Sequence, residues 1–270
     1  MQTIPVFVIS LASAVERRAQ IRSHLGELGV EYEIVDAVRG TDLDPNFRKE
    51  VNPDANMSPG ALGCYLSHIK VYERMVREKL PAALVLEDDT VLHQSVRDLV
   101  CGGCQSVDFD YCFLVADDRG DEGYVFYDAN AGIEINAKHI AFRLSSGPYC
   151  TNAYLISHEG ARKRTACAFP ARTPIDHYQF LPYKPRFFAI IPTIAFMSEQ
   201  SAVASITSAG WTEAQKRLRK YWWYYTLRDA LKIKYFRKLV FYWRSDFRRH
   251  GRWRPFRSAV RVVPKWRLKY

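Results

Sequence analysis

The chain lacks any uninterrupted apolar run of about 18 residues, the length that a membrane-spanning helix needs, among its 270 residues. The first residues also lack the basic segment that opens a secretory signal peptide, and their apolar run is short. These features predict a first strand at Ile4–Leu11 instead of a targeting segment. We therefore expect a cytoplasmic protein.

Paired cysteine motifs are scarce. Cys101 and Cys104 have CxxC spacing, but no second such pair follows to complete a zinc site. In a cytoplasmic protein of this size, the six cysteines are expected to be reduced thiols. The sequence therefore favours neither a disulfide framework nor a zinc module.

Acidic residues are almost absent from the last sixty positions. Residues 211–270 hold 19 Lys+Arg against 3 Asp+Glu, whereas residues 1–210 hold 20 against 26. Trp, Tyr and Phe are interleaved with these cations, a composition typical of the membrane interface. Nucleic acid can also bind such a surface, and part of the segment could pack as ordinary helices. We predict a domain at 1–210 and a separate basic, aromatic, helical extension at 211–270 that contacts an anionic membrane surface.

Apolar runs alternate with amphipathic stretches along residues 1–210. This order predicts an α/β domain with a mostly parallel sheet. Helices are expected after Ser13 and Ser58, which could cap them, and residues 39–58 are expected to form a loop. The predicted strands are Ile4–Leu11, Val30–Val38, 82–89, Asp110–Ala116, Tyr149–Ser157 and Phe187–Phe196, the last near a sheet edge because Pro192 interrupts it.

Three adjacent acids, Glu87, Asp88 and Asp89, directly follow a run typical of a buried strand. Adjacent carboxylates repel one another and are costly to bury. A solvated turn would carry them at little cost. If the three acids are considered by themselves, this turn is the simpler interpretation. The alternative is a divalent cation, because Mg²⁺ and Mn²⁺ prefer carboxylate oxygens and because α/β sheets bind ligands at the carboxyl ends of their strands.

Several stretches, taken in order, resemble glycosyltransferase family 25, which includes bacterial lipopolysaccharide and lipooligosaccharide galactosyltransferases and their collagen-modifying relatives. The resemblance covers roughly residues 4–206. The matching stretches are VFVISLASAVERR, YEIVDAVRG, GALGCYLSHIKVYERMV, ALVLEDDTVL, TNAYLIS and PIDHYQF. It implies a GT-A type nucleotide-sugar fold, an inverting mechanism, a UDP-sugar donor that is usually UDP-galactose, and a divalent cation, Mn²⁺ or Mg²⁺.

With this resemblance, the cation becomes the favoured interpretation of the acidic triplet. We assign Asp89 and Glu87 to the metal, with His177 as a further ligand. Glu87 or Asp88 could instead bind the ribose or a metal-bound water. The donor-binding residues that we predict are Ser10, Arg17, Arg18, Asp36, Ser67, His68, Glu87, Asp88 and Thr151.

Each donor-site residue also has a purely structural interpretation. Arg17 and Arg18 open a helix, where a guanidinium favours phosphate or a carboxylate, but they could be an exposed helical face. Asp36 could bind a ribose hydroxyl or be a turn residue. Ser67 and His68 face the donor cleft in the family pattern, although apolar neighbours also suit a buried histidine.

An inverting transfer needs a base that accepts the proton of the acceptor hydroxyl. Asp176 is our candidate, since no other acid lies between Glu159 and Glu199. A helix N-cap is the structural alternative for Asp176. Asp117 and Asp118 are the competing bases.

The sequence leaves several functions open. We expect transfer of galactose from UDP-galactose to a lipid-linked lipooligosaccharide acceptor on the inner face of a bacterial cytoplasmic membrane. UDP-glucose or another hexose donor is the nearest alternative. A non-catalytic sugar-nucleotide or lipid-binding module is the second, and a nucleic-acid-binding protein is the third. The chain also departs from relatives in which a Gln often stands where Met197 is found, with Gln200 three residues further on.

Overall fold

A computed structural model describes residues 3–104, 106–115, 126–148, 150–197 and 260–262. The strands are β1 (Val6–Ser10), β2 (Glu33–Asp36), β3 (Ala82–Glu87), β4 (Thr90–Leu92), β5 (Tyr111–Phe113), β6 (Phe126–Asn136), β7 (His139–Leu144), β8 (Ala153–Ser157), β9 (Phe187–Ile190), β10 (Ala195–Met197) and β11 (Val260–Val262). The helices are α1 (Val15–Leu28), α2 (Pro45–Val51), α3 (Pro59–Arg77), α4 (Ser95–Cys101) and α5 (His158–Ala166), followed by a 3₁₀ turn at Tyr178–Phe180.

The described strands form one mixed sheet in the order β11-β6-β7-β9-β5-β8-β3-β1-β2, with β4 and β10 as a separate pair. Strands β1, β2 and β3 pair in parallel, and β5 pairs in parallel with β9. Strand β8 lies antiparallel between β3 and β5, so these two strands share one direction. The predicted α/β class with a largely parallel sheet is confirmed, since β1, β2, β3, β5, β6 and β9 all point the same way.

Helices cover the sheet on two sides. Helix α3 begins at the predicted cap, where the Ser58 hydroxyl accepts a hydrogen bond from the backbone N–H of Ala61. Its buried residues join one core cluster with Phe7 and Val85, whereas Ile21 of α1 joins a second cluster with Val8. Because adjacent residues of β1 enter different clusters, the strand is buried on both faces, as the continuous apolar run requires.

Three local predictions are corrected. Helix α1 begins after Ala14 without a side-chain cap, so Ser13 is not its N-cap; the Ser13 hydroxyl instead accepts a hydrogen bond from Arg39. The expected loop at 39–58 contains α2, which Asp44 caps through the N–H groups of the next turn. Strand β9 is not near an edge, since β5 and β7 flank it and the chain leaves the sheet before Pro192.

Most of the predicted C-terminal extension lies outside the described residues. Within 211–270 the structure describes only β11, which pairs antiparallel with β6. None of the helices in the described part of the chain combines the length and the apolar character that crossing a membrane requires.

The loop that follows β2 packs on α3 through a close approach of the two backbones at Gly63. A Cβ there would lie 2.4 Å from the Val38 carbonyl oxygen and 2.7 Å from the Gly40 nitrogen. We expect Gly63→Ala to lower the free energy of unfolding by about 2 kcal/mol or more, since backbone must move to admit the methyl group. Denaturant unfolding measures this loss.

Gly26 of α1 provides the matched control for that substitution. A Cβ at this position would have no atom within 4 Å. Gly26→Ala should therefore stabilise the protein by roughly 0.5–1 kcal/mol, the helix-propensity difference between the two residues. Equal stabilities for the two variants would contradict the close approach at Gly63.

Candidate active site

The acidic triplet lies at the carboxyl end of β3, where Glu87 is the last residue of the strand. Alternating side chains point to opposite sides of an extended chain. Glu87 contacts Thr151 and His68, whereas Asp88 contacts Ser10 and Arg17. The triplet is therefore divided between two neighbourhoods and does not form one patch of carboxylates in solvent.

Asp88 connects β3 to the start of α1. The Ser10 hydroxyl donates to Asp88 Oδ2 at 2.5 Å, and Arg17 Nη1 lies 3.2 Å from Asp88 Oδ1. Burial raises the pKa of Asp88, while the Ser10 hydrogen bond and the positive charge of Arg17 act in the opposite direction. This carboxylate fixes Arg17, whose side chain remains 46% exposed, at the edge of the sheet.

Arg18 joins the ends of the first two strands. Its Nη2 donates to the Ser10 carbonyl oxygen at 2.7 Å and to Asp36 Oδ1 at 2.5 Å. The hydrogen bond and positive charge of Arg18 lower the pKa of Asp36, which is exposed to solvent. The predicted donor residues Ser10, Arg17, Arg18, Asp36 and Asp88 thus lie together along the carboxyl ends of β1, β2 and β3.

Glu87 is held from two directions. The Thr151 hydroxyl donates to Glu87 Oε1 at 2.5 Å, and His68 Nε2 lies 3.5 Å from the same oxygen. Burial alone would raise the pKa of Glu87, but His68 and Thr151 outweigh it and the pKa is lowered. Glu87 is therefore an ionised carboxylate at neutral pH.

Ser67 and His68 lie inside the core and have no exposed surface. The Ser67 hydroxyl donates to the Gly63 carbonyl at 2.6 Å and accepts from the Val38 N–H at 2.8 Å, so it fixes the loop after β2 against α3. His68 Nδ1 lies 2.7 Å from the Tyr154 hydroxyl. The Ser67 hydroxyl is therefore occupied by hydrogen bonds to the backbone. His68 contacts the acidic triplet through Glu87.

Asp176 interacts electrostatically with the same carboxylate. Burial raises the pKa of Asp176, the charge of Glu87 raises it further, and His177 and His68 lower it. The residue that precedes the 3₁₀ turn is His177, without a side-chain cap, so the N-cap interpretation of Asp176 is not supported. The His177 ring stacks near Phe180 at a centroid distance of 6.2 Å. Asp117 and Asp118 lie outside the described residues.

Two site residues were not recognised from the sequence. Burial raises the pKa of the Cys64 thiol, and the negative charges of Glu87, Asp176 and Asp89 raise it further, which places this thiol among the acids. The Asn152 side chain donates to Asp89 Oδ1 at 2.9 Å. The i, i+4 spacing of Cys64 and His68 in GALGCYLSH is the signal that could have revealed the first.

The acids of the site fit a hard divalent cation. Glu87 and Asp89 are two residues apart at the strand end, and their carboxylates provide the all-oxygen donor set that Mg²⁺ and Mn²⁺ prefer. Thr151 and Asn152, adjacent residues before β8, orient one carboxylate each. Such outer-shell hydrogen bonds are typical of metal-binding carboxylates.

Thr151 offers a test of this orientation. We expect Thr151→Val to weaken Mn²⁺ binding about 10- to 100-fold, the usual effect of losing an outer-shell partner, because the methyl group cannot donate to Glu87. Thr151→Ser retains the hydroxyl and should keep most of the affinity. Titration calorimetry with Mn²⁺ distinguishes the two variants, and equal losses would contradict a role for the hydrogen bond.

The sheet and the site define a class of protein: an α/β protein with paired carboxylates and arginines at the carboxyl edge of parallel strands, the arrangement that suits a nucleotide diphosphate. The particular family follows from comparison. The model of glycosyltransferase family 25 (LPS biosynthesis protein) matches residues 3–179. The chain belongs to this family, as the motifs indicated.

Curated relatives include both bacterial and animal proteins. The lacto-N-neotetraose biosynthesis glycosyltransferase LgtE of Neisseria gonorrhoeae is 29% identical over 163 residues, covering 57% of this chain and 57% of LgtE. LgtB of the same organism is 28% identical over 185 residues, covering 64% and 65%. The inactive glycosyltransferase 25 family member 3 of Mus musculus is 29% identical over 197 residues, covering 66% of this chain and 31% of the mouse protein.

The chain thus spans about a third of the mouse relative and 57% of LgtE. Among solved structures, a glycosyltransferase involved in glycosylation of the major capsid of PBCV-1 is 7% identical and covers 81% of this chain and 99% of its own, with a TM-score of 0.38. That score is too low to define a shared fold. The GT-A type therefore stays a prediction from the family resemblance.

Proposed function

We propose that this protein is a cation-dependent, inverting glycosyltransferase that moves galactose from UDP-galactose to a lipooligosaccharide or lipopolysaccharide core acceptor. The observation that carries the proposal is the set of oriented side chains at the carboxyl end of β3: Thr151 donates to Glu87, Asn152 donates to Asp89, and Arg17 lies beside Asp88. The LPS biosynthesis family and the lacto-N-neotetraose enzymes among the relatives support the acceptor class.

In the proposed complex, Glu87 and Asp89 would hold Mn²⁺ or Mg²⁺ against the donor diphosphate. When bound, the cation neutralises the charge of the departing UDP. Arg17 is exposed next to the same edge and would bind a phosphate oxygen. Asp36 would bind the ribose, and Arg18 fixes the orientation of its carboxylate.

Asp176 is the proposed base. It accepts the proton of the acceptor hydroxyl as that oxygen forms a bond to the anomeric carbon, and the bond from this carbon to the UDP oxygen breaks on the opposite face. Its raised pKa makes Asp176 a stronger base than an ordinary aspartate. The side chain is partly buried, which limits competing attack by water.

The basic segment at 211–270 is proposed to hold the enzyme on the inner face of the cytoplasmic membrane. Its 19 Lys+Arg would meet anionic headgroups, and its aromatic rings would lie at the interface. A lipid-linked acceptor would then be presented at the surface where the enzyme binds. A nucleic-acid partner does not account for the sugar-transfer family of the remaining chain.

The non-catalytic alternative has a specific basis, because the mouse relative is named inactive. Asp176 is the residue that separates the two functions, because a general base is needed for transfer and is not needed for binding. A donor panel tests the proposal directly: UDP release is measured from UDP-galactose, UDP-glucose and UDP-N-acetylhexosamines with Mn²⁺, with and without lactose- or glucose-terminated acceptors. We expect the fastest turnover with UDP-galactose. Faster turnover of another donor would replace galactose as the transferred sugar. Binding without turnover of any donor would favour the non-catalytic module.

A further inference from the structure

A second set of metal-ligating groups lies beside the acids assigned to the donor cation. Cys64 and His68 are four residues apart on α3 and therefore share one face of the helix. Glu87 approaches that face from β3. The ligand atoms of the three side chains all lie within 4.8 Å of one another.

The His68 ring supplies an independent indication of a ligand. Its Nε2 is fully buried, and its ion-pair contact with Glu87 Oε1, at 3.5 Å, is too long for a well-formed hydrogen bond. A buried polar atom without a well-formed hydrogen bond is costly and calls for an explanation. The other ring nitrogen, Nδ1, contacts the Tyr154 hydroxyl at 2.7 Å, and this hydroxyl lies 2.5 Å from that of Tyr72.

We propose that Cys64 Sγ, His68 Nε2 and a carboxylate oxygen of Glu87 form a binding site for Zn²⁺ that shares Glu87 with the oxygen-only cation site of Glu87 and Asp89. Zinc bonds of about 2.0–2.3 Å in a tetrahedral arrangement place neighbouring ligand atoms roughly 3.4–3.6 Å apart. The observed Nε2–Oε1 separation of 3.5 Å matches this spacing. The Cys64 sulfur lies within 4.8 Å of the ligand atoms of the other two residues and must approach them to complete the set.

The groups behind these ligands are those that a zinc site requires. The Tyr154 hydroxyl can accept the Nδ1 proton, which leaves the Nε2 lone pair for the metal, and the Thr151 hydroxyl orients Glu87. On binding, the Cys64 thiol releases its proton and ligates as thiolate, and Glu87 supplies a carboxylate oxygen. A sulfur and an imidazole ligand select zinc over magnesium and manganese.

The site has a consequence for transfer that rests on the proposed function. Glu87 belongs both to this set and to the acids proposed to hold the donor cation. Zinc bound at Cys64 and His68 would withdraw Glu87 from that role. Micromolar Zn²⁺ is therefore expected to inhibit sugar transfer supported by Mn²⁺, and Cys64→Ser should relieve the inhibition.

Binding itself is tested without any sugar donor. The reduced full-length protein is titrated with Co²⁺, whose thiolate complexes show a charge-transfer band in the near ultraviolet, and Zn²⁺ is then added to displace it. We expect one equivalent of Co²⁺ with this band. Cys64→Ser should abolish the band, and Glu87→Gln should weaken binding by more than the 10- to 100-fold typical of an outer-shell partner.

Cys101→Ser is the matched control, because Cys101 is exposed and belongs to the CxxC pair that could compete for the metal. The band should persist in this variant. A band that survives Cys64→Ser but disappears with Cys101→Ser would overturn the proposal, as would the absence of a band in the unmodified protein. Neither result depends on enzymatic activity, so the zinc site can fail while the transferase proposal stands.

Discussion

Replacing Asp89 by alanine is expected to reduce kcat/KM for sugar transfer by at least about 10²–10³-fold, or roughly 3–4 kcal/mol of transition-state stabilisation. Asp89 lies in the turn after β3, and Asn152 orients its carboxylate. Its loss would remove an oxygen ligand from the cation that neutralises the departing diphosphate. Steady-state UDP release with Mn²⁺ measures the effect.

Two variants make this result specific. Asp89→Asn keeps the size of the side chain and removes its charge, so a loss close to that of alanine would assign the effect to the carboxylate. Glu27→Ala removes an exposed acid from α1 and should leave activity unchanged. Asp89→Ala with full activity would show that the acidic triplet does not bind the donor cation.

Asp176→Asn is the second substitution with a large expected effect. We expect kcat to fall by about 10²–10⁴-fold, the usual contribution of a general base, while the affinity for the donor changes little. Asparagine matches aspartate in size but cannot accept the proton of the acceptor hydroxyl. Single-turnover transfer separates this chemical step from donor binding.

The pH dependence gives a second measure of Asp176. A base must be ionised to act, and burial together with the charge of Glu87 raises the pKa of Asp176. The rate of sugar transfer is therefore expected to fall as the pH decreases. The fall should occur at a higher pH than it would if the base were an ordinary aspartate. Asp108 precedes β5, at the amino end of the strand and therefore away from the site, so Asp108→Asn should keep the pH dependence of the unmodified protein. An unchanged acid limb in Asp176→Asn would assign the base elsewhere.

Patterns that depend on a single segment predicted much of this fold. The apolar runs gave β1, β2, β3, β5 and β8, and the Ser58-Pro59 pair correctly marked the start of α3. The Gly29 position ends α1 in the left-handed conformation that glycine favours. Strand direction was less accessible, since the antiparallel insertion of β8 between β3 and β5 depends on contacts across the whole sheet.

In the site, too, some features could be predicted from a single segment and others depend on contacts between segments. The placement of Glu87 and Asp89 at a strand end follows from the sequence, because strand ends can be read from an apolar run. The separate role of Asp88 does not, since it requires knowing that Ser10 and Arg17 lie on that side of β3. Cys64 also escaped notice, because its proximity to Glu87 arises only when α3 packs on the sheet.

Binding of UDP, measured by titration calorimetry with Mn²⁺ and again with EDTA, tests the central claim most directly. The account predicts binding that requires Mn²⁺ and that falls sharply in Asp89→Ala but not in Glu27→Ala. Equal UDP affinity with Mn²⁺ and with EDTA, unaltered by Asp89→Ala, would mean that the acids at the end of β3 do not bind the donor through a cation.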